Sequence, residues 1–177
     1  MPSGKTHDAI TFLLAAPIAG AAWAATADTA MTAAVAGAFL FGGLMFGPDL
    51  DTLSDQYSRW RLFRPFWLPY RTMFKHRSRW SHGLIFGTLF RVVYFLGALT
   101  LAIYTAFLIK ASITGGKVPD TESFLLAWRQ LGETLRGQFG DQVLPSIFGG
   151  LWIGAASHTF TDMAVTYVKI GRVTEFL

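Results

Sequence analysis

The side chains with the clearest capacity for chemistry are four histidines and three aspartates, which fall in short polar islands between long apolar runs. In chain order they are His7, Asp49, Asp51, His76, His82, His158 and Asp162. Imidazole nitrogens and carboxylate oxygens are ligands of zinc, iron and manganese. Because the chain has no cysteine, thiolate sites are excluded, and the sequence predicts a mixed nitrogen and oxygen site for one or two divalent metals. Zinc is the first expectation, with iron or manganese as alternatives.

Spacing supports this interpretation in two of the islands. His158 and Asp162 are four residues apart, so on a helix both side chains project from the same face. Asp49 and Asp51 follow Pro48, which ends the preceding apolar run, and in an extended segment they would lie on one side. The alternatives are a hydrogen-bonded pair on the helix and a solvated turn with helix-capping duty. Joint occurrence of the islands favours metal binding, and a two-metal site would suit phosphoester hydrolysis.

Three further side chains are candidates for supporting roles. Arg91 follows Gly83 and Gly87 at four-residue spacing, and it is either an anion-binding group for a substrate or a structural arginine. Ser78 and Ser81 either orient the imidazoles or cap the helix that follows, and the capping role is favoured. If either carboxylate of the Asp49 and Asp51 pair is not fully used by a metal, it could act as a general base.

These residues must be positioned by an apolar chain. Of its 177 residues 52% are hydrophobic and 15% are charged, and the mean hydropathy is +0.39, which is unusual for a soluble domain. The apolar runs at 9–27, 30–47, 83–109 and 143–168 are each about long enough to cross a bilayer as a helix. We therefore predict an all-α, single-domain integral membrane bundle of about four transmembrane helices spanning residues 1–177. An amphipathic helix is expected from 121 to 135.

The segment 55–81 connects the second and third runs and is strongly basic. Its cationic residues are Arg59, Arg61, Arg64, Arg71, Lys75, Arg77 and Arg79. By the positive-inside rule this loop and both termini are cytoplasmic. Its aromatic residues Trp60, Trp67, Tyr70 and Trp80 predict a loop that lies on the membrane surface with its rings at the headgroups. Because the net charge of +4 is concentrated here, no nucleic-acid partner is expected.

Small residues indicate how the helices pack. Ala34, Ala38 and Gly42 have four-residue spacing in the second run, and Ser146, Gly150 and Gly154 precede His158 at the same spacing. Such stripes allow helix backbones to approach closely in lipid. The stripe in the fourth run therefore predicts that another helix packs directly beneath the His158 and Asp162 ligand pair.

The ordered islands, taken with the apolar runs between them, resemble a known family. The residues that carry the resemblance are His7, the Pro48-Asp49-Leu50-Asp51 segment, His76-Arg77-Ser78, Ser81-His82, and His158 with Asp162. The chain resembles bacterial membrane-bound metal-dependent hydrolases of the LexA-regulated inner-membrane type. Through Met1–Asp8 and Gly43–Phe46 it is more similar to uncharacterised integral-membrane metal-binding proteins of the cyanobacterial type. The resemblance implies that all seven histidines and aspartates named above are metal ligands.

The sequence thus predicts a metal-dependent hydrolase in the cytoplasmic or an equivalent internal membrane, acting on a phosphoester or lipid-like substrate at the cytoplasmic face. An alternative is a non-catalytic assembly factor or complex subunit whose metal is structural. A metal carrier is less favoured, because the polar residues lie at one end of the runs rather than through the bilayer. The expected partners are the lipid bilayer, other membrane proteins or further copies of the chain.

Overall fold

The computed structural model of the chain describes residues 3–76, 78 and 80–171, and over these residues the fold is all-helical, as predicted. The described residues form seven α-helices: α1 (Gly4–Thr26), α2 (Thr29–Leu44), α3 (Asp55–Arg59), α4 (Leu68–Met73), α5 (Phe86–Thr114), α6 (Thr121–Phe139) and α7 (Val143–Ile170). Two 3-10 turns, Pro48–Asp51 and Arg61–Trp67, lie between α2 and α4. The described residues contain no β-strand.

Local capping sets where the first two helices begin. The Ser3 side chain accepts a hydrogen bond from the Thr6 amide, so α1 starts five residues earlier than the apolar run predicts. A two-residue connection follows, in which Ala27 is left-handed with φ of 49°. The Asp28 carboxylate then accepts from the amides of Ala30 and Met31 and caps α2. This short connection makes α1 and α2 neighbours.

Helices α2 and α7 approach closely through glycines, as the small-residue stripes predict. A Cβ atom on Gly150 would lie 2.6 Å from the Val35 carbonyl oxygen, and one on Gly42 would lie 2.5 Å from the Leu151 carbonyl oxygen. A Cβ atom on Gly154 would overlap the Phe39 carbonyl oxygen. The two backbones are therefore in direct contact along the face that leads to His158.

The connection between α2 and α5 folds inward rather than lying flat. Phe46, Leu50, Tyr57, Trp67 and Tyr70 form a buried aromatic core, against which Phe95 of α5 also packs. The prediction that the loop's rings lie at headgroup level is wrong for Trp67 and Tyr70, which are fully buried. Their rings contact other aromatic rings of the protein, as in the 5.6 Å edge contact between them. Trp80 does remain exposed.

Charge in this connection is only partly described. Arg77 and Arg79, which contribute to the predicted basic character of the loop, lie outside the described residues, as do Met1, Pro2 and Arg172.

The predicted amphipathic helix near 121–135 is confirmed as α6, which the Asp120 carboxylate caps by accepting from the Ser123 amide at 2.7 Å.

Two helices in the described residues, Gly4–Thr26 and Phe86–Thr114, are long and apolar enough to cross a membrane by length and composition. Helix α2 is apolar but has 16 residues, or about 24 Å of helix against the ~30 Å of a bilayer core. The expectation of about four spanning helices is therefore met by length and apolarity for two of the four runs.

Candidate metal centre

The structure brings all seven predicted ligand residues together, in two adjoining groups. Asp49, Asp51, His76 and His82 form the first, here called the loop cluster, because the Pro48–Asp51 turn and the segment before α5 supply its members. His7 of α1 with His158 and Asp162 of α7 form the second, here called the helix cluster. In each group one ligand atom per residue lies within 4.8 Å of the others.

Asp51 organises the loop cluster. Its Oδ1 lies 2.8 Å from Nδ1 of His76, and its Oδ2 lies 3.4 Å from Nδ1 of His82. The side chains of Asp51 and His82 are fully buried, whereas that of His76 is 37% exposed. The loop cluster therefore has one side that opens toward solvent, at His76.

The helix cluster is more enclosed. Nε2 of His7 lies 3.4 Å from Oδ1 of Asp162, and Nε2 of His158 lies 3.6 Å from Oδ2 of the same carboxylate. The rings of His7 and His158 stack with their centroids 3.6 Å apart and their planes 7° from parallel. The i, i+4 spacing of His158 and Asp162 thus places both side chains against α1, beside the close contact of α7 with α2.

Asp49 joins the two clusters. Its Oδ1 lies 3.3 Å from Nε2 of His82 in the loop cluster, and its Oδ2 lies 3.3 Å from Nε2 of His158 in the helix cluster. A carboxylate with one oxygen facing each group has the geometry needed to bridge two cations, and paired metals in proteins are commonly about 3.5–4 Å apart.

Several buried nitrogen and oxygen atoms of the two clusters make no hydrogen bond within the described residues. They test whether the site fits a metal. These atoms are Nε2 of His158, Oδ2 of Asp51 and both carboxylate oxygens of Asp162. An unpaired buried polar atom is costly. Nε2 of His158 is within 3.3 Å of an Asp49 oxygen, yet it forms no hydrogen bond there. Nitrogen and oxygen atoms that converge without bonding one another match the donor set of a divalent metal.

The charges in the loop cluster are mutually stabilised. Burial acts to raise the pKa of the Asp49 carboxyl, but the imidazoles of His158 and His82 outweigh burial and hold that pKa well below its usual range. The pKa of Asp51 is lowered in the same way against burial, chiefly by His82. A carboxylate with a depressed pKa is a weak base, so this environment favours metal binding over general-base catalysis for both residues.

The same ion pairs act on His82. Burial lowers the pKa of its imidazole, but the carboxylates of Asp49 and Asp51 outweigh burial and raise it above the usual value. Without metal the ring is therefore protonated at a higher pH than a free imidazole. Because a metal must displace that proton, binding is expected to weaken as the pH falls.

Sequence reasoning missed Gln56, which is 4% exposed. Its Nε2 donates to the Gly43 carbonyl at 2.7 Å, its Oε1 accepts from the Asp49 amide at 3.2 Å, and Nε2 also lies 3.3 Å from Nδ1 of His158. This amide connects the end of α2, the Pro48–Asp51 turn and α7. A lone glutamine in an aromatic segment gives no sequence signal for such a role.

The predicted capping role of Ser78 and Ser81 is wrong for the following helix, because α5 begins at Phe86 without a side-chain cap. Instead, the Ser81 hydroxyl lies 3.1 Å from Nδ1 of His82, and Ser78 Oγ accepts from the Ser81 amide at 3.3 Å. Ser81 therefore contacts a ligand imidazole directly, and Ser78 shapes the turn that carries it.

Arg91 of α5 holds this same turn. It is 1% exposed, its Nη1 donates to the Ser81 carbonyl at 2.6 Å, and its Nη2 donates to the Thr88 hydroxyl at 3.0 Å. Gly87 allows the turn to approach, because a Cβ atom there would lie 2.7 Å from the Ser81 carbonyl oxygen. These contacts are those of a structural arginine that positions His82, and the anion-binding role stays a prediction.

Arg91→Met is expected to loosen the His82 turn. The variant leaves the Ser81 carbonyl without its donor at about 1–3 kcal/mol of stability, and zinc affinity should fall about 10-fold because His82 is less well held. Thermal unfolding and equilibrium zinc binding measure the two effects. Arg129→Met is the control, since its exposed partner Glu133 on α6 contributes at most about 0.5 kcal/mol. Wild-type values for both measurements in Arg91→Met would contradict the positioning role.

A small cavity of about 20 Å³ adjoins the clusters, and it is large enough for one water molecule. Its walls include His7, Asp49, His158 and Arg59. The guanidinium of Arg59 pairs with the Asp8 carboxylate and donates to the Leu44 carbonyl at 2.6 Å. Through the ion pair and this hydrogen bond, Arg59 of α3 connects the start of α1 to the end of α2 beside the cavity.

An all-helical fold that gathers four imidazoles and three carboxylates into two adjoining clusters is the architecture of a metal-binding protein. The chain belongs to the family of uncharacterized metal-binding proteins (DUF2227), whose family profile matches residues 2–172. No curated protein and no solved structure matches the chain. The family match covers every residue of both clusters.

Proposed function

We propose that the protein is a membrane-embedded, metal-dependent hydrolase that acts on a phosphoester or lipid-like substrate at the cytoplasmic face. The observation that carries the proposal is the position of Asp49, whose two oxygens face His82 in one cluster and His158 in the other. Two metals bridged in this way, zinc first among them, would supply Lewis-acid activation and lower the pKa of a bound water. All seven clustered residues are proposed as the ligands.

The chain's own residues prepare the site for this chemistry. Oδ1 of Asp51 lies 2.8 Å from Nδ1 of His76 and fixes the orientation of that ring, while Oδ2 of Asp51 makes no hydrogen bond within the described residues and stays available to a metal. The water-sized cavity beside His158 and Asp49 provides a place for a solvent molecule next to the ligands. An open position of this kind is what separates a catalytic from a structural metal site.

Membrane embedding is supported by the surface of α5. Leu89, Val93, Leu96 and Leu101 of this helix are between 43% and 66% exposed, and none of its most apolar 18-residue window is buried within the protein. Apolar patches of this extent on a protein surface mark a membrane or protein contact. Lipid is therefore the proposed surrounding of α1 and α5.

The proposed orientation places the clusters and both termini in the cytoplasm. The described part of the α2 to α5 connection carries Arg59, Arg61, Arg64 and Arg71 at the end of the fold that holds the clusters, and cationic residues are retained on the cytoplasmic side. The reaction class is proposed from the resemblance of the ordered islands to membrane-bound metal-dependent hydrolases. The membrane is the proposed first partner, with further membrane proteins or copies of the chain as additional ones.

The test uses the full chain, extracted from membranes in detergent and loaded with zinc, manganese or iron. Hydrolysis of bis(p-nitrophenyl) phosphate and of a short-chain phospholipid is expected to require metal, to stop with chelator and to return when metal is restored. Asp162→Asn should lower the rate by at least about 100-fold, because the variant removes a charged ligand. Asp141→Asn, a change on the exposed connection before α7, is the control.

The non-catalytic alternative predicts a different result. The side chains of Asp51, His82 and Asp162 are fully buried, and such enclosed ligands also suit a structural metal with saturated coordination. Stoichiometric metal without hydrolysis of either substrate would favour this alternative over the enzyme. Protein that leaves the membrane on alkaline washing would overturn the membrane assignment.

A further inference from the structure

The two clusters differ in the groups that contact Nδ1 of their imidazoles. His7, His82 and His158 each turn Nε2 toward a carboxylate of Asp49 or Asp162. A histidine that binds metal through Nε2 carries its proton on Nδ1, and a hydrogen-bond acceptor at Nδ1 strengthens the ligand. The partner of Nδ1 therefore reports how well each imidazole is prepared.

In the loop cluster the partners at Nδ1 are acceptors. His76 has the Asp51 carboxylate at 2.8 Å, and His82 has the Ser81 hydroxyl at 3.1 Å. The Ser81 hydroxyl can direct its hydrogen to the Lys75 carbonyl, 3.3 Å away, and accept from Nδ1 of His82. The loop cluster therefore offers a hydrogen-bond acceptor to Nδ1 of each of its imidazoles.

In the helix cluster the partner at Nδ1 of His158 is a donor. The orientation of the Gln56 amide is set by its two backbone contacts, because only nitrogen can donate to the Gly43 carbonyl and only oxygen can accept from the Asp49 amide. The second hydrogen of the same nitrogen points at Nδ1 of His158, 3.3 Å away. This contact favours the proton on Nε2, the nitrogen that a metal would need.

The imidazole of His7 also has no acceptor at Nδ1 within the described residues. Its Nδ1 is buried and has no hydrogen-bond partner among residues 3–76, 78 and 80–171, so nothing in that part of the chain strengthens it as a ligand. Within the described part of the chain, neither imidazole of the helix cluster therefore has an acceptor at Nδ1, whereas both imidazoles of the loop cluster do.

We infer that the two metal sites are unequal, with a tight site at the loop cluster, a weaker and exchangeable site at the helix cluster, and Gln56 as the positioning residue that sets the difference. The inference rests on the proposed binding of divalent metals by both clusters. Gln56 presents a hydrogen-bond donor to Nδ1 of His158, whereas Ser81 presents an acceptor to Nδ1 of His82.

Zinc titration of the purified full chain, with a competing chelating dye and metal analysis after dialysis, tests the inequality. Two binding steps are expected, at least about 10-fold apart in Kd, which is the lower end of what support by an outer hydrogen-bond partner contributes. His7→Ala should remove the weaker step only, and His82→Ala should remove the tighter step.

Two variants test the hydrogen-bond partners at Nδ1. Gln56→Glu keeps an acceptor for the Asp49 amide and offers an acceptor to Nδ1 of His158, so the weaker step should tighten about 10-fold. Ser81→Ala removes the acceptor from His82, so the tighter step should weaken about 10- to 100-fold. Ser112→Ala is the control, because the exposed Ser112 lies at the far end of α5 and its hydroxyl donates to the Leu108 carbonyl of the same helix, and both steps should be unchanged.

The outcomes separate this inference from the proposed function. Two indistinguishable zinc steps, or a tighter step that His7→Ala removes, would overturn the inequality and leave metal binding intact. No zinc bound in the folded wild type would overturn both. If Gln56→Glu fails to fold by circular dichroism, Ser81→Ala decides, since an unchanged tighter step in that variant overturns the role of the Nδ1 partners.

Discussion

Asp49→Ala is expected to remove zinc from both clusters at once, with an affinity loss larger than the roughly 10–100-fold that follows loss of an outer hydrogen-bond partner. The reason is geometric: one Asp49 oxygen lies 3.3 Å from Nε2 of His82, and the other lies 3.3 Å from Nε2 of His158. Each of the other six proposed ligands belongs to one cluster only, so its loss leaves the ligands of the other cluster in place.

Equilibrium dialysis followed by metal analysis measures this effect, and zinc stoichiometry should fall below one per chain in Asp49→Ala. Asp141→Ala, an exposed aspartate remote from the clusters in sequence, should retain the wild-type stoichiometry. Circular dichroism confirms that the variant remains helical. A folded Asp49→Ala protein that still binds two zinc ions would show that the carboxylate does not connect the clusters.

Gly154→Val is expected to have the largest effect on folding, at about 3 kcal/mol or more, because it forces two helix backbones apart. Even a single Cβ atom at this position would overlap the Phe39 carbonyl oxygen and lie 2.8 Å from the Gly43 amide nitrogen. Neither group is a flexible side chain, so the clash is relieved only by moving α2 away from α7. Since His158 lies one turn further along α7, zinc binding should fall as well.

Gly149→Val provides the matched control on the same helix. Apart from the nearby backbone of α7 itself, no atom of the described residues lies within 4 Å of a Cβ placed on Gly149, so valine there meets no neighbouring helix and should leave the midpoint of thermal unfolding almost unchanged. Comparing the two variants in detergent separates packing from helix propensity, which changes equally in both. Equal stability of Gly154→Val and Gly149→Val would contradict the close contact of α2 with α7.

Helix positions and helix contacts were predictable because they depend on local pattern. Long apolar runs predicted α1, α2, α5 and α7, and stripes of small residues predicted which faces of α2 and α7 meet. Boundaries were less accurate where a polar residue outside the run decides the start, as Ser3 does for α1. The segment between Asp55 and Met73 could not be predicted in detail, because its turns are set by long-range aromatic packing.

The ligand set was predictable from residue types, but its division into two clusters was not. The i, i+4 rule places His158 and Asp162 together without knowledge of the fold. That Asp49 faces both groups depends on the path of the Pro48–Asp51 turn between α2 and α3. The role of Gln56 depends on a backbone carbonyl and a backbone amide that carry no residue identity, so sequence alone gives no sign of it.

The aromatic core also gives the protein an intrinsic optical label. Trp60 and Trp67 lie with ring centroids 5.2 Å apart and planes inclined at 65°, a separation at which two indole transitions couple. Both sit in the connection that follows the Pro48–Asp51 turn, and Trp60 Nε1 donates to the Met45 carbonyl at 2.8 Å, next to the end of α2. Near-ultraviolet dichroism of this pair thus gives a label-free view of the segment that carries two of the carboxylates.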